Sequence, residues 1–237
     1  MAFHWQTFRT RALTALVFVA VMAVGLLWNR WAFLALFTIV HFGGWFEYLK
    51  LRKLFPQHAA HTTVSDIAGG LLYLTLPFVL LCDMRCNFSG MINESGALFE
   101  GADNERQGMI LTLQLIISIW INDTMAYIVG SLIGKTPFSK ISPKKTWEGT
   151  IGGALLAVVA MTFIGHAMGL RYMPAACIAA IAAVAGTIGD LFESKLKRTA
   201  GVKDSGSFMP GHGGFLDRFD SLLFAAPCVW LFVALAY

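Results

Sequence analysis

Charged residues are scarce in this chain. They occupy 14% of its 237 positions, whereas a typical soluble domain has about 25%, and hydrophobic residues occupy 57%. The long apolar stretches of the chain leave too little polar sequence to cover them as the core of a soluble protein. The shortage of charge therefore predicts an integral membrane protein.

Period-two alternation of apolar and polar residues is also absent, which argues against a membrane β-barrel. Backbone groups in lipid must be satisfied within each segment, so helices are expected. At about 20 residues per bilayer crossing, the stretches that could span are 12–28, 31–49, 67–82, 109–133, 150–169, 174–193 and 219–236. The predicted fold is an all-α, polytopic helical bundle of about seven transmembrane helices.

Several processing and binding signals are missing. No small-x-small cleavage site follows the first stretch, so we expect it to remain as a span. The four cysteines lack the Cys-x-x-Cys spacing of a metal site. In "GSLIGKT" (130–136) only three residues separate the two glycines, whereas a P-loop requires four. Neither a cysteine metal site nor a P-loop is predicted.

Basic residues are rare on one side of the predicted bundle. Only Arg30, Arg85, Arg106 and Arg171, of 18 lysines and arginines, fall opposite the N-terminus. The positive-inside rule then predicts a cytoplasmic N-terminus and, with seven spans, an outside C-terminus. The non-cytoplasmic loop 83–108 is acidic and polar, and we interpret it as a solvated excursion without a site.

One carboxylate lies deep within a predicted span. Asp123 is about ten residues, or on the order of 15 Å, from the cytoplasmic end of its helix. An ionisable residue at such a depth is costly unless it is paired, hydrated or bound to a cation. Tyr127, four residues later, shares its helix face. A functional site is one interpretation, and a hydrogen bond between helices is the other.

Further carboxylates stand where two later spans meet the cytoplasm. Asp190 lies near the end of the sixth span, and Asp217 and Asp220 open the seventh. Such groups can converge, and hard oxygen ligands suit Mg²⁺ completed by substrate phosphates. Either a metal or a salt bridge to Arg198 or Arg218 must balance their charge.

Phosphate chemistry offers a use for the polar residues around these carboxylates. Charge on phosphate oxygens needs cations and closely approaching backbone amides. Gly213 and Gly214 lack the side chains that would block such an approach. The cations available are Lys144, Lys145, Lys197, Arg198, Lys203 and Arg218.

Three stretches resemble a known family. "SKLKRTAGVKDSGSFMPGHGGFLDRFD" (194–220) closely resembles the C-terminal signature of phosphatidate cytidylyltransferases, also called CDP-diacylglycerol synthases. "DTMAYIVGSLIGK" (123–135) and "SPKKTWEGTIGG" (142–153) are similar to two further stretches of that family, in the same order. The resemblance covers about residues 109–221. It divides the chain into N-terminal transmembrane helices with a non-cytoplasmic loop (1–108) and a catalytic transmembrane domain (109–237).

The resemblance implies an enzyme that converts CTP and phosphatidic acid into CDP-diacylglycerol and pyrophosphate with Mg²⁺. Its metal-binding aspartates fall on Asp190 and Asp217. The other predicted catalytic residues are Lys197, Arg198, His212 and Arg218. The predicted substrate-binding residues are Asp123, Tyr127, Ser142, Lys144, Lys145, Thr146, Glu148, Ser194, Lys203, Asp204, Gly213, Gly214 and Asp220.

The resemblance also implies a cellular location and a reaction mechanism. We expect a dimer in the inner membrane, with its active site facing the cytoplasm and with no nucleic-acid partner. A phosphate oxygen of phosphatidate is expected to attack the α-phosphorus of CTP directly, so no protein nucleophile is required. His212 is equally suited to proton transfer and to bracing the glycine turn.

Two alternatives stay open. A related enzyme could use CTP on another lipid, such as an archaeol-type phosphate or a polyprenol, because the lipid tail meets only apolar helix faces. A transporter for an anionic solute is a different class, with Asp123 as a coupling-ion site. That class predicts internal repeats with polar positions in both halves, whereas the polar motifs here crowd into the second half.

Overall fold

The computed structural model describes residues 5–56, 63–90, 98–100, 104–208 and 213–237. Within those ranges no strand forms, and two isolated β-bridges join Phe99 to Leu170 and Pro137 to Thr146. The helices there are α1 (Trp5–Leu27), α2 (Arg30–Lys53), α3 (Val64–Gly70), α4 (Leu76–Cys86), α5 (Asn104–Ile133), α6 (Trp147–Met168), α7 (Tyr172–Thr199) and α8 (Leu216–Ala236). A π-helical turn, Leu71–Thr75, joins α3 to α4.

Each of the seven predicted spans coincides with helix. Among the residues that the structure describes, six helical segments are long and apolar enough to cross a membrane, and they are Arg30–Lys53, Val64–Cys86, Arg106–Ile133, Trp147–Met168, Tyr172–Thr199 and Leu216–Ala236. The first predicted span lies in α1, where Ala12–Leu27 is a shorter apolar helix. The prediction of a polytopic helical membrane protein is confirmed.

The helices form two compact units. The first unit contains Met1–Thr75 and Lys195–Phe219, and the second contains Leu76–Ser194 and Asp220–Tyr237. The end of α7 and the start of α8 therefore belong to the first unit, and the remainder of both helices belongs to the second. The functional division predicted at residue 108 follows chain order instead, and it stays a prediction.

Aromatic packing joins the start of α8 to the N-terminal helices in the first unit. The ring of Phe219 meets Phe18 of α1 and Phe37 of α2 nearly edge to face, with centroids 6.3 and 5.9 Å apart. Gly43 of α2 leaves room for the ring of Phe215, which a Cβ at Gly43 would approach to 2.5 Å. This packing places the loop before α8 beside α2.

Small residues allow α5 and α6 to lie against each other in the second unit. A Cβ at Gly149 would stand 2.7 Å from the carbonyl oxygen of Ala126 and 2.8 Å from the Cα of Gly130. A Cβ at Gly153 would stand 2.5 Å from the Ala126 nitrogen. Close backbone approach through small residues is a common basis of helix packing in membranes. It holds the start of α6, and the loop before it, next to α5.

The prediction that 83–108 is a solvated excursion is wrong at its described ends. The Asp83 carboxylate accepts hydrogen bonds from Ser89 N, Ser89 Oγ and Trp230 Nε1 at 2.6–2.7 Å. Leu98 and Phe99 are buried, and the carbonyl of Leu98 accepts from Arg171 N at 2.9 Å. The polar composition of the segment did not indicate this packing, because the hydrogen-bond partners of Asp83 and Leu98 include Trp230 and Arg171, which are distant in the chain. Residues 91–97 and 101–103 lie outside the described residues.

The Gly153→Ala variant should be less stable than the wild type by about 1–3 kcal/mol, because the added methyl group overlaps the backbone of Ala126. The midpoint of thermal unfolding in detergent micelles measures this effect. Leu155→Ala, at an exposed position of the same helix, is the matched control and should change the midpoint little. Equal midpoints for Gly153→Ala and the wild type would contradict the packing described for α5 and α6.

Candidate active site

Three carboxylates converge in the second unit. Asp190 and Glu193 lie on α7 and Asp220 lies on α8, and one oxygen from each falls within 4.8 Å of the others. Glu193 is fully buried, while Asp190 and Asp220 are partly exposed. We call these three residues the carboxylate cluster. Of the three carboxylates predicted to converge, Asp190 and Asp220 belong to this cluster and Asp217 does not.

Two glycines explain how the cluster forms. A Cβ at Gly189 would lie 2.5 Å from the carbonyl oxygen of Asp220 and 3.2 Å from the Cα of Ser221. One turn earlier, a Cβ at Gly186 would lie 3.3 Å from the Cβ of Ser221. The backbones of α7 and α8 therefore approach closely at the position where both helices carry acidic side chains.

A lysine supplies positive charge to the cluster. The Lys145 ammonium forms an ion pair with Asp190 Oδ2, and Ser194 Oγ lies 3.4 Å from Asp190 Oδ1. Asp123, which is exposed on α5, is close enough to interact electrostatically with both Lys145 and Asp190. The structure thus gathers residues from three separate predicted motifs. Tyr127, predicted on the same face as Asp123, is 77% exposed.

The loop from α5 to α6 is organised by Glu148. Its carboxylate accepts hydrogen bonds from the backbone nitrogens of Lys135 and Thr136 at 3.1–3.2 Å and from Thr136 Oγ1 at 2.8 Å. Thr146 caps α6 by accepting from Gly149 N at 3.2 Å. These bonds hold the loop that carries Lys145. Substrate contact by Glu148, Thr146, Ser142 and the exposed Lys144 stays a prediction.

Asp217 has a different environment, in the first unit. Its Oδ1 accepts from the Lys197 ammonium at 2.5 Å. Its Oδ2 accepts from Ser205 N, Ser205 Oγ and Gly214 N at 2.8–2.9 Å. Gly213 has a left-handed backbone with φ of 86°, and a Cβ there would stand 2.5 Å from Asp217 Oδ2. Asp217 therefore holds together the loop that precedes its own helix.

A second buried carboxylate binds the same loop. Glu47 of α2 accepts hydrogen bonds from Ser205 Oγ at 2.8 Å and from Phe215 N and Leu216 N at 3.0 Å. Only 4% of Glu47 is exposed. We call residues 200–215, which join α7 to α8, the signature loop. Its described part is thus fastened by one carboxylate from α8 and by one from α2.

The remaining predicted cations line the exposed surface of the first unit. The side chains of Arg198, Lys203 and Arg218 are exposed, as is that of Asp204. The Arg198 guanidinium donates to the carbonyl of Val202 at 3.0 Å. His212 lies outside the described residues, so its predicted role stays a prediction.

Sequence reasoning missed three residues: Glu47, Glu193 and Ser205. Glu47 and Glu193 are acidic residues within predicted apolar stretches, and the rule that singled out Asp123 applied equally to both. The signal was present, but neither residue falls within the three stretches that resemble the family. Ser205 has no such signal, because its importance comes from two carboxylates, one of them 158 positions away in the chain.

The chemistry of the carboxylate cluster fits a divalent cation. Three hard oxygen donors within 4.8 Å of one another are typical of the ligands that Mg²⁺ takes, with water and phosphate completing its shell. Asn122 and Ser221, which neighbour Asp123 and Asp220 in sequence, are buried. Asn122 Oδ1 and Ser221 Oγ have no hydrogen-bond partner within the described ranges, so each could accept a bond from a bound ligand or water.

Acidic side chains within apolar helices, together with their lysine partners, define a polytopic membrane protein with a candidate functional site in its helices. The chain belongs to the Cytidylyltransferase family, whose model matches residues 56–236. The family predicted from the sequence motifs is therefore confirmed.

Individual relatives agree with this family. The phosphatidate cytidylyltransferases of Synechocystis sp. and Bacillus subtilis are 42% identical over 143 residues and 41% identical over 134 residues. Phosphatidate cytidylyltransferase 4, chloroplastic, of Arabidopsis thaliana is 41% identical over 183 residues. These matches cover 56%, 55% and 72% of this chain and 46%, 50% and 46% of the relatives. The chain spans about half the length of the curated relatives it matches.

Replacing Glu148 with Gln should loosen the loop between α5 and α6, because an amide oxygen replaces a carboxylate that accepts from Lys135 and Thr136. Deuterium exchange at the amide of Thr136 should become several-fold faster. Glu100→Gln, which changes an exposed carboxyl group of the same unit, should leave that exchange rate unchanged. Unaltered exchange in Glu148→Gln would contradict the role assigned to Glu148.

Proposed function

We propose that this protein transfers a cytidylyl group from CTP to phosphatidic acid, forming CDP-diacylglycerol and pyrophosphate. Its membership of the Cytidylyltransferase family and the activity for which its relatives are named support this proposal.

The observation that carries the proposal is the carboxylate cluster with Lys145 beside it. Several acidic groups close together in apolar helices repel one another unless cations offset their charge. Lys145 supplies one positive charge to three carboxylates, and the phosphate oxygens of a nucleoside triphosphate bind Mg²⁺. The cluster is therefore suited to a substrate that arrives with a divalent cation.

Asp190 and Asp217 are the proposed magnesium ligands. Each forms an ion pair with a lysine: Asp190 pairs with Lys145, and Asp217 pairs with Lys197. Each therefore already stabilises a positive charge. Glu193 and Asp220 add carboxylate oxygens beside Asp190. When bound, magnesium neutralises charge on the phosphate oxygens of the substrate.

In this proposal, some of the basic residues bind CTP and the others bind the lipid. Lys144, Lys145 and Lys203 hold the triphosphate of CTP, and Arg198 and Arg218 hold the phosphate of the lipid. Four of these five side chains are exposed and accessible to a soluble nucleotide or a headgroup. Guanidinium groups suit a phosphate because they donate two parallel hydrogen bonds to it.

In the proposed step, a phosphate oxygen of phosphatidate forms a bond to the α-phosphorus of CTP. The bond from that phosphorus to the oxygen leading to the β-phosphate breaks, and pyrophosphate departs with the electron pair. The attacking oxygen is already anionic, so the protein needs no covalent nucleophile. The lysines and arginines orient both phosphates for an in-line displacement.

The proposed setting is the inner membrane, with the phosphate-handling groups at the cytoplasmic side and the protein as a homodimer. The concentration of lysines in the loops that carry the site supports this orientation. A membrane location also lets an insoluble lipid and a soluble nucleotide reach one protein.

Purified protein in phosphatidate-containing micelles should convert labelled CTP into CDP-diacylglycerol and pyrophosphate in equal amounts when Mg²⁺ is present. Chelation by EDTA should abolish the reaction, and added Mg²⁺ should restore it. A panel with an archaeol-type phosphate and a polyprenol identifies the preferred lipid. Failure of the wild type to make any liponucleotide from phosphatidate would refute the proposed activity.

Asp190→Asn and Asp217→Asn should each lower kcat by at least on the order of 10²-fold, because each loses a charge proposed to stabilise the cation. Initial rates across a magnesium titration measure this loss. Glu100→Gln, at an exposed site, is the control and should match the wild type. Full activity of Asp217→Asn would remove Asp217 from the metal assignment while leaving the activity itself intact.

A further inference from the structure

We propose that Glu47, on α2, is a positioning residue that sets the conformation of the signature loop. The consequence for catalysis depends on the proposed function, since the loop carries Lys203 and leads into Asp217. Glu47 lies outside residues 56–236, which the family model matches. All of the contacts of Glu47 described below lie within the first unit.

Three hydrogen-bond donors converge on the Glu47 carboxylate. Its Oε1 accepts from Phe215 N at 3.0 Å, and its Oε2 accepts from Leu216 N at 3.0 Å and from Ser205 Oγ at 2.8 Å. Leu216 is the first residue of α8, so two of these donors lie at the start of a helix, where N–H groups lack intrahelical partners. Glu47 thus caps α8 from another helix.

The Glu47 carboxylate is buried away from water. Only 4% of Glu47 is exposed, and its carboxylate forms no ion pair among the residues that the structure describes. An anion removed from water must be stabilised by hydrogen bonds or by positive charge. Here hydrogen-bond donors from the signature loop and the start of α8 stabilise it. Displacing the loop would therefore leave a buried anion without partners, and this cost holds the loop in place.

The signature loop leaves space for the Glu47 carboxylate at two glycines. A Cβ at Gly206 would overlap Oε1 of Glu47, and a Cβ at Gly214 would overlap both of its carboxylate oxygens. Neither glycine has a positive φ, so an alanine would fit the backbone conformation, and the atoms nearest to its added Cβ would be those of Glu47. Glycine at these two positions is explained by close approach to Glu47.

Ser205 links Glu47 to Asp217. The Ser205 hydroxyl lies 2.8 Å from Glu47 Oε2 and 2.9 Å from Asp217 Oδ2, and its single proton can serve only one of them at a time. Ser205 N donates to Asp217 as well. A shift of Glu47 therefore displaces Ser205, and with it one of the groups that orient Asp217. Glu47 acts through the loop and not through contact with substrate.

Deuterium exchange tests the positioning role without reference to activity. In the full-length protein in nanodiscs, Glu47→Gln and Glu47→Ala should speed exchange at the amides of Phe215 and Leu216, with Ala having the larger effect. Exchange at Thr136, in the other unit, should not change. Unchanged exchange at Phe215 and Leu216 in both variants would overturn the proposal, whether or not the protein proves to be a cytidylyltransferase.

Kinetics test the consequence for catalysis. Small displacements of a catalytic group can reduce rates by about 10²-fold, so Glu47→Ala should lower kcat by that order, with Gln intermediate. Values of kcat are normalised to the folded fraction at the assay temperature, and the KM for CTP should rise as well, because the signature loop carries Lys203. Normal kcat in both variants, in the presence of faster loop exchange, would overturn the catalytic part of the proposal.

Asp66→Asn separates positioning from general destabilisation. Asp66 is also a fully buried carboxylate of the first unit, and it accepts from Arg52 Nε at 2.7 Å and from Thr63 N at 2.9 Å. It joins the start of α3 to α2 instead, so Asp66→Asn should lower the unfolding temperature yet retain the kcat of the folded fraction. If Asp66→Asn and Glu47→Gln lost kcat equally, Glu47 would have only a structural role.

A double-mutant cycle with Gly206 gives an independent test. Gly206→Ala should displace the Glu47 carboxylate and lower kcat in the wild-type background. In the Glu47→Ala background the added methyl group meets no carboxylate, so Gly206→Ala should cost little more. Additive effects of the two substitutions on kcat would overturn the proposed contact.

Discussion

Carboxylates inside apolar helices are the constraint on which the rest of this structure depends. A charged group removed from water must be matched by cations or by hydrogen-bond donors. Asp190 and Asp217 are matched by Lys145 and Lys197, and Glu47 is matched by a hydroxyl and two backbone amides. The positions of two loops follow from these pairings, because the loop before α6 supplies Lys145 to Asp190 and the signature loop supplies Ser205 and Phe215 to Glu47.

The two kinds of partner have different consequences. An ammonium on a flexible side chain can move away when a substrate or a metal ion brings other charges, so Asp190 and Asp217 are suited to exchange partners. Backbone amides cannot leave without moving the chain, so Glu47 is suited to hold a loop. Asp217 has both kinds of partner, since Ser205 and Gly214 donate to it as well. The same carboxylate thus holds the signature loop in place and serves as a proposed magnesium ligand.

Much of the fold could be predicted because its cause is local. Each span is a run of apolar residues whose backbone must be satisfied within the segment, so length and composition were sufficient. Asp190, Asp217 and Asp220 could also be recognised, because an acidic residue beside or within an apolar run is visible in the local sequence. Loop 83–108 was misjudged because the partners of Asp83 and Leu98 include Trp230 and Arg171, which are remote in sequence. Composition describes a segment and does not describe what packs on it.

The sequence by itself determined the membrane class, the helical spans and the family, since apolar runs and closely spaced polar motifs are properties of short segments. Only the tertiary structure decided which acidic residues share a cluster and which one holds a loop. Glu193 joins Asp190 and Asp220 because Gly189 lets two helix backbones approach. Glu47 meets Ser205 across 158 positions. Such partners are selected by distance in space, and no local pattern in the chain records that distance.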